Sequence, residues 1–117
     1  MKLRPLAEGE AGASAAICAA IDPYARLGYT PAGLTAYLTR DDPTLLRFAI
    51  DTGGELAGVL AVRTPWLRGP LIEMLALLPE AQGRGFGGSI VDRCKAEAGR
   101  NLWATVSAFH QPARVWP

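Results

Sequence analysis

The sequence predicts an α/β (α+β) chain: a mixed, mostly antiparallel sheet with helices on both faces. Three observations carry that prediction. Two helical segments near the N-terminus give way to three strand-like runs joined by tight turns, and runs so closely joined pair antiparallel. The last three elements then read strand–helix–strand, a β-α-β unit that demands a right-handed crossover and parallel strands. Finally, 117 residues, 50% hydrophobic and 20% charged, amount to one domain able to bury its own core.

Met1 to Leu6 is a short first strand. Glu8 and Glu10 then open an alanine-rich helix reaching Ile21, with acids near its N-terminus as the helix dipole prefers. Asp22-Pro23 ends it, because the residue before proline is pushed out of the helical region. Thr30-Pro31 starts a second helix, with Thr30 as N-cap, Pro31 at the first helical position and Leu34, Tyr37 and Leu38 as its apolar stripe. After Asp41-Asp42-Pro43 the pattern turns to strands. Leu45 to Asp51 is followed by Thr52-Gly53-Gly54-Glu55, a hairpin turn that needs positive φ at a glycine. Leu56 to Arg63 is nearly all apolar, as in a strand covered on both faces. A turn over Pro65 to Pro70 leads to Leu71 to Leu78, apolar except for Glu73. From Phe86 the period is helical, with Ile90, Val91, Cys94 and Ala98 on one face and Gly99 as the stop. Leu102 to Phe109 is the last strand. No repeat, low-complexity run or linker appears, so residues 1–117 read as one domain.

Composition excludes several classes of function. Twelve Lys and Arg against eleven Asp and Glu leave a net charge of +1, without the basic stripe of a nucleic-acid binder. A single histidine, His110, cannot assemble a zinc set by spacing, so no metal site is expected. Cys18 and Cys94 lie in apolar neighbourhoods and read as buried thiols in a reducing compartment. The stretch from Ala11 to Ile21 lacks the leucines and the flank of a signal peptide, and no run reaches the ~18 apolar residues of a membrane span. A cytoplasmic chain with no membrane partner is the expectation.

The strongest chemical signal is Pro79-Glu80-Ala81-Gln82-Gly83-Arg84-Gly85-Phe86-Gly87-Gly88, between a strand and a helix. Glycines there let backbone approach a ligand closely, and the N–H groups of a helix start point outward, an arrangement suited to phosphate or pyrophosphate. Gly83, Gly85 and Gly88 fit G-x-G-x-x-G, but a dinucleotide site expects an acid about 20 residues on, where Val106, Ser107 and Ala108 stand. A P-loop fails as well, because no lysine separates Gly88 from Ser89. Another pyrophosphate carrier, coenzyme A, becomes the natural candidate.

Leu75-Ala76-Leu77-Leu78-Pro79 followed by Gln82-Gly83-Arg84-Gly85-Phe86-Gly87 closely resembles the central motif of the GNAT superfamily of acyl-CoA-dependent N-acyltransferases. Gln82, Gly85 and Gly87 sit at its three defining positions, and the element order matches from Met1 to Phe109. The resemblance implies that acetyl-CoA is the cofactor and a small-molecule or peptide amine the acceptor. It also implies that the backbone of Leu75, Ala76 and Leu77 pairs with the pantetheine arm. The amides of Gly83, Arg84, Gly85, Phe86, Gly87 and Gly88 would cradle the pyrophosphate, with the Arg84 side chain either touching a phosphate or simply solvated.

Attack of an amine on a thioester needs a base, donors for the oxyanion and an acid for the leaving thiolate. Glu73, the lone charge of its strand, stands where the family often carries an acid. Burial would raise its pKa and suit it as the base, while the alternative is a solvent-facing or salt-bridged strand residue. The backbone N–H near Leu77 is the implied oxyanion donor. His110 follows the last strand and, with an unperturbed pKa near ~6.5, would polarise the thioester or shuttle a proton, unless it is merely exposed. Tyr24, Tyr29 and Tyr37 lie in the region that walls the acceptor site in the family, where packing is the commoner role.

One departure stands out. Gln111-Pro112-Ala113-Arg114 resembles the start of the family's last helix, but that helix with its general-acid tyrosine and the C-terminal strands are missing from the sequence as it reads to Pro117. Another group or water would then protonate the thiolate, or the chain would be a catalytically impaired coenzyme A-binding module or an interaction subunit. The uncharged strand Leu102 to Phe109 would also keep an open edge, and a homodimer through that strand is the expectation.

Overall fold

A computed structural model of the chain describes residues 1–22, 24–66, 69–99 and 101–104, without the side chain of Trp66. The described residues gather into two compact units, Glu8–Arg40 and Met1–Ala7 together with Asp41–Ala104.

The first unit holds helices α1 (Glu8–Ala19) and α2 (Pro31–Thr39), which pack on each other. Both acids expected in the first turn of α1 are there, and its buried residues are Ala11, Ser14, Ala15 and Cys18, spaced three and four apart. Such small side chains let a neighbouring helix come close. The helix stops at Ala19, two residues short of the expected Ile21. α2 starts as its sequence dictates: Thr30 is extended, its Oγ1 accepts from the Gly33 N–H at 3.0 Å, and Pro31 occupies the first turn. Leu34 and Leu38 of the expected stripe are buried, and Tyr37 is half-buried beneath the Arg40 guanidinium.

The second unit is a five-stranded sheet and a helix. Strands β1 (Lys2–Pro5), β2 (Leu45–Thr52), β3 (Glu55–Trp66), β4 (Gly69–Leu77) and β5 (Trp103–Ala104) lie in sequence order, and α3 (Phe86–Ala98) joins β4 to β5. The first three pairings are antiparallel and the last is parallel, as the turn lengths and the crossover helix require. Thr52 pairs with Glu55 across Gly53 and Gly54, both at positive φ, which closes the hairpin in two residues. Of the expected turn over Pro65 to Pro70, Pro65 and Trp66 belong to β3 and Gly69 and Pro70 to β4, with Trp66 paired to Gly69.

Ile50, Leu60, Val62 and Ile72 from one sheet face meet Ile90 of α3, with Ala57 and Ala81, and Val91 and Cys94 pack against that cluster. The helical period read from Phe86 therefore points at this core. Residues Ala49, Val59, Ala61, Met74 and Ala76 of the other face are buried as well, which is why β3 reads apolar without alternation. α3 ends at Gly99, left-handed with φ 65°, whose N–H bonds to the Lys95 carbonyl. The strand expected from Leu102 to Phe109 is described at Trp103 and Ala104, and residues 105–109 lie outside the described set, as does its role in a dimer. No helix among the described residues is long and apolar enough to cross a membrane.

Candidate functional site

The glycine-rich segment joins the C-terminal end of β4 to the N-terminus of α3. Pro79–Ala81 forms a single 3-10 turn, and Gly85 is the N-cap of α3 with φ 79°. A glycine cap has no side-chain oxygen, and none bonds to the helix start. The N–H groups of Phe86, Gly87 and Gly88, which have no carbonyl four residues back within the helix, are thus presented without a competing cap. The first intrahelical bond runs from the Ser89 N–H to the Gly85 carbonyl at 3.2 Å.

The glycines here are not equivalent. Gly83 and Gly85 hold positive φ, 75° and 79°, so their backbone conformation demands glycine. Gly88 is helical, and a methyl built on it would meet nothing within 4 Å. Neither backbone nor packing asks for glycine there, although glycine in a helix costs about 0.5–1 kcal/mol relative to alanine. Space left open beside free helix-start amides is what a pyrophosphate needs, so the segment fits that group.

The strand end that feeds this turn is held from several sides. The Gln82 Nε2 donates to the Leu77 carbonyl at 3.0 Å, and the Leu78 N–H donates to the Ala57 carbonyl at 2.8 Å. The peptide between Leu77 and Leu78 is therefore fixed at both ends. Gly58 lies opposite Leu77, and a side chain there would run into the Ala76 carbonyl oxygen, so glycine lets β3 and β4 close up at this point. The Gln82 side chain thus serves the protein's own backbone. Arg84 is exposed, with its guanidinium 5.1 Å from the centre of the Phe86 ring.

Glu73 sits at a bulge in β4, where the pairing shifts between Ala61 and Val62 of β3. Its carboxylate is clamped by Arg63: Nε reaches Oε2 at 2.5 Å and Nη2 reaches Oε1 at 2.8 Å. The same guanidinium is fixed from behind, Nη1 donating to Asp42 Oδ2 at 3.1 Å and to Thr44 Oγ1 at 2.8 Å. Thr44 in turn donates its hydroxyl and its N–H to Asp42 Oδ1, at 2.7 and 3.0 Å. These groups are half-buried, the side chains of Arg63 and Asp42 each 19% exposed and that of Glu73 27%. The Thr44 hydroxyl and N–H, with help from Arg63, pull the Asp42 carboxyl down to about 2. Glu73 first and Asp42 second hold the Arg63 guanidinium more firmly protonated than usual. Glu73 is thus a salt-bridged strand residue, held by Arg63 from the preceding strand.

Of the residues singled out in the sequence, the structure gathers Gln82, Gly83, Arg84, Gly85, Phe86, Gly87 and Gly88 at the helix start, next to the strand end of Leu75, Ala76 and Leu77. Glu73 lies earlier on that strand. His110 falls outside the described residues. Sequence reasoning missed Arg63, Asp42 and Thr44. Their one signal was a lone cation closing an apolar strand, opposite a lone anion in the next.

Comparison with known proteins gives the family and the fold. The family model described as "Acetyltransferase (GNAT) family" matches residues 15–115. No curated protein sequence gives a significant match. Among solved structures, an acetyltransferase from Thermus thermophilus superposes with a TM-score of 0.77 at 24% identity, over 97% of this chain and 80% of that one. An aminoglycoside 6′-N-acetyltransferase from Acinetobacter haemolyticus gives 0.71 at 10% identity, over 97% and 85%. A chimeric spermidine N-acetyltransferase from Vibrio cholerae gives 0.71 at 17%, over 97% and 75%. At such identities the likeness to each of these structures is one of fold.

Proposed function

The chain belongs to the GNAT acetyltransferase family, and from that premise we propose that it moves an acetyl group from acetyl-CoA to the nitrogen of a primary amine. The observation that carries this reading is the start of α3: amides presented by a glycine cap, with open space beside Gly83, Gly85 and Gly88. The family match runs through both compact units, which supports reading them as parts of one domain.

When bound, acetyl-CoA supplies the activated thioester; transfer releases a proton from the amine and returns a thiol. The protein's part is to bind and orient. Phe86, Gly87 and Gly88 donate backbone N–H groups to the pyrophosphate, helped by the positive end of the helix dipole. The strand end at Leu75, Ala76 and Leu77, secured by Gln82 and Ala57, lines up the pantetheine arm. Glu73 presents a carboxylate that attracts the acceptor's ammonium and takes its proton through water. The free Cys18 and Cys94 fit a reducing, cytoplasmic setting.

The test is thiol release from acetyl-CoA with a panel of amines. Spermidine and an aminoglycoside belong in it because fold neighbours carry those names, and a peptide N-terminus extends the range. Amine-dependent thiol release is expected. Tight coenzyme A binding with no release from any amine would refute transfer and leave a binding module.

A further inference from the structure

Arg63 is placed to do more than neutralise a charge. It stands on β3 with both edges of its guanidinium engaged, Nε and Nη2 on Glu73 and Nη1 on Asp42 and Thr44. A guanidinium is planar and offers its donors in a rigid fork, so engaging Nε and Nη2 sets the plane of the carboxylate as well as its distance. Asp42 and Thr44 then remove the freedom of the guanidinium itself. Glu73 sits where the β3–β4 register shifts, and this two-pronged clamp fixes its carboxylate to a residue of the preceding strand. Among the described residues, Arg63 forms ion pairs with both Glu73 and Asp42.

We propose that Arg63, braced by Asp42 and Thr44, is a positioning residue for the transfer reaction, holding the Glu73 carboxylate in one orientation toward the acceptor amine. This rests on the transferase reading above. It goes beyond that reading by locating the control of the acceptor side in a residue of the preceding strand.

A double-mutant cycle tests it, built from R63M, E73Q and the pair. Coenzyme A affinity serves as the measure that the cofactor end remains intact. If Arg63 acts through Glu73, R63M lowers kcat at least tenfold in the wild-type background and less than twofold in the E73Q background. Coenzyme A affinity stays within twofold throughout. R63K, which cannot form the two-pronged contact, recovers only part of the loss. D42N keeps the clamp but loosens its brace and gives a smaller drop in kcat, so the proposal remains testable if R63M fails to fold. Equal losses from R63M in both backgrounds, or a D42N protein with unchanged kcat when R63M does not fold, would overturn the positioning role alone. Wild-type protein that releases no thiol with any amine would overturn the transferase reading and this role with it.

Discussion

If the start of α3 holds a pyrophosphate as proposed, Gly88 serves that ligand, whereas the positive φ of Gly83 and Gly85 is a demand of the backbone. Replacing Gly85 would force a side chain into φ 79°, and any loss of affinity would be mixed with strain. Gly88→Ala has no such penalty, because the residue is helical and the new methyl meets nothing within 4 Å. It lies in the first turn, so the gain in helix stability should sit near the low end of the usual range, about 0.5 kcal/mol. For 117 residues, an unfolding entropy of about 2.1 cal/mol/K per residue gives about 0.25 kcal/mol/K, so Tm should rise by about 2 °C. Affinity should move the other way. The methyl occupies the space the pyrophosphate needs and displaces it from at least one backbone N–H, and a hydrogen bond to a charged group is worth about 1.5–3 kcal/mol. Coenzyme A binding should therefore weaken at least about tenfold. Scanning calorimetry and titration calorimetry on one preparation measure both effects. A Tm that rises while affinity holds within twofold would show that no ligand occupies this space, and the placement of the site would be wrong.

Two further outcomes follow from the polar cluster and the buried thiol. The Asp42 carboxyl is pulled from 3.8 to about 2 in the folded chain, so its contribution to stability is complete above about pH 4 and is lost as pH falls toward 2. D42N should flatten the acid arm of the stability curve across that window, and an unchanged slope in urea melts would refute the assignment. Burial pushes the Cys18 thiol up to about 11, so at pH 8 only about one in a thousand is thiolate. A disulfide reagent should leave Cys18 untouched until the chain unfolds and should reach the half-buried Cys94 sooner. Rapid native labelling of Cys18 would contradict its burial.

What the sequence determined by itself is local. Thr30-Pro31 specifies a helix start because a hydroxyl caps the third amide while proline supplies its fixed φ, and the structure places them so. Gly53-Gly54 specifies a two-residue hairpin, and Gly99 a left-handed stop, because each conformation is cheap only for glycine. The motif from Leu75 to Gly87 made the family legible for the same reason, its strand end, turn and helix start being contiguous in the chain. The partners of Glu73 were not legible. They depend on the register of the hairpin from β3 to β4, and that register is set by irregularities between Ala61 and Val62 and between Arg63 and Trp66. Asp42 reaches Arg63 across 21 residues of chain, a distance over which no periodicity speaks. Nor could the sequence sort Gly88 from Gly83 and Gly85, since all three spell the same residue. Only the folded backbone shows that two of them are required by φ and the third leaves room, because a dihedral angle and an empty volume are properties of the tertiary structure.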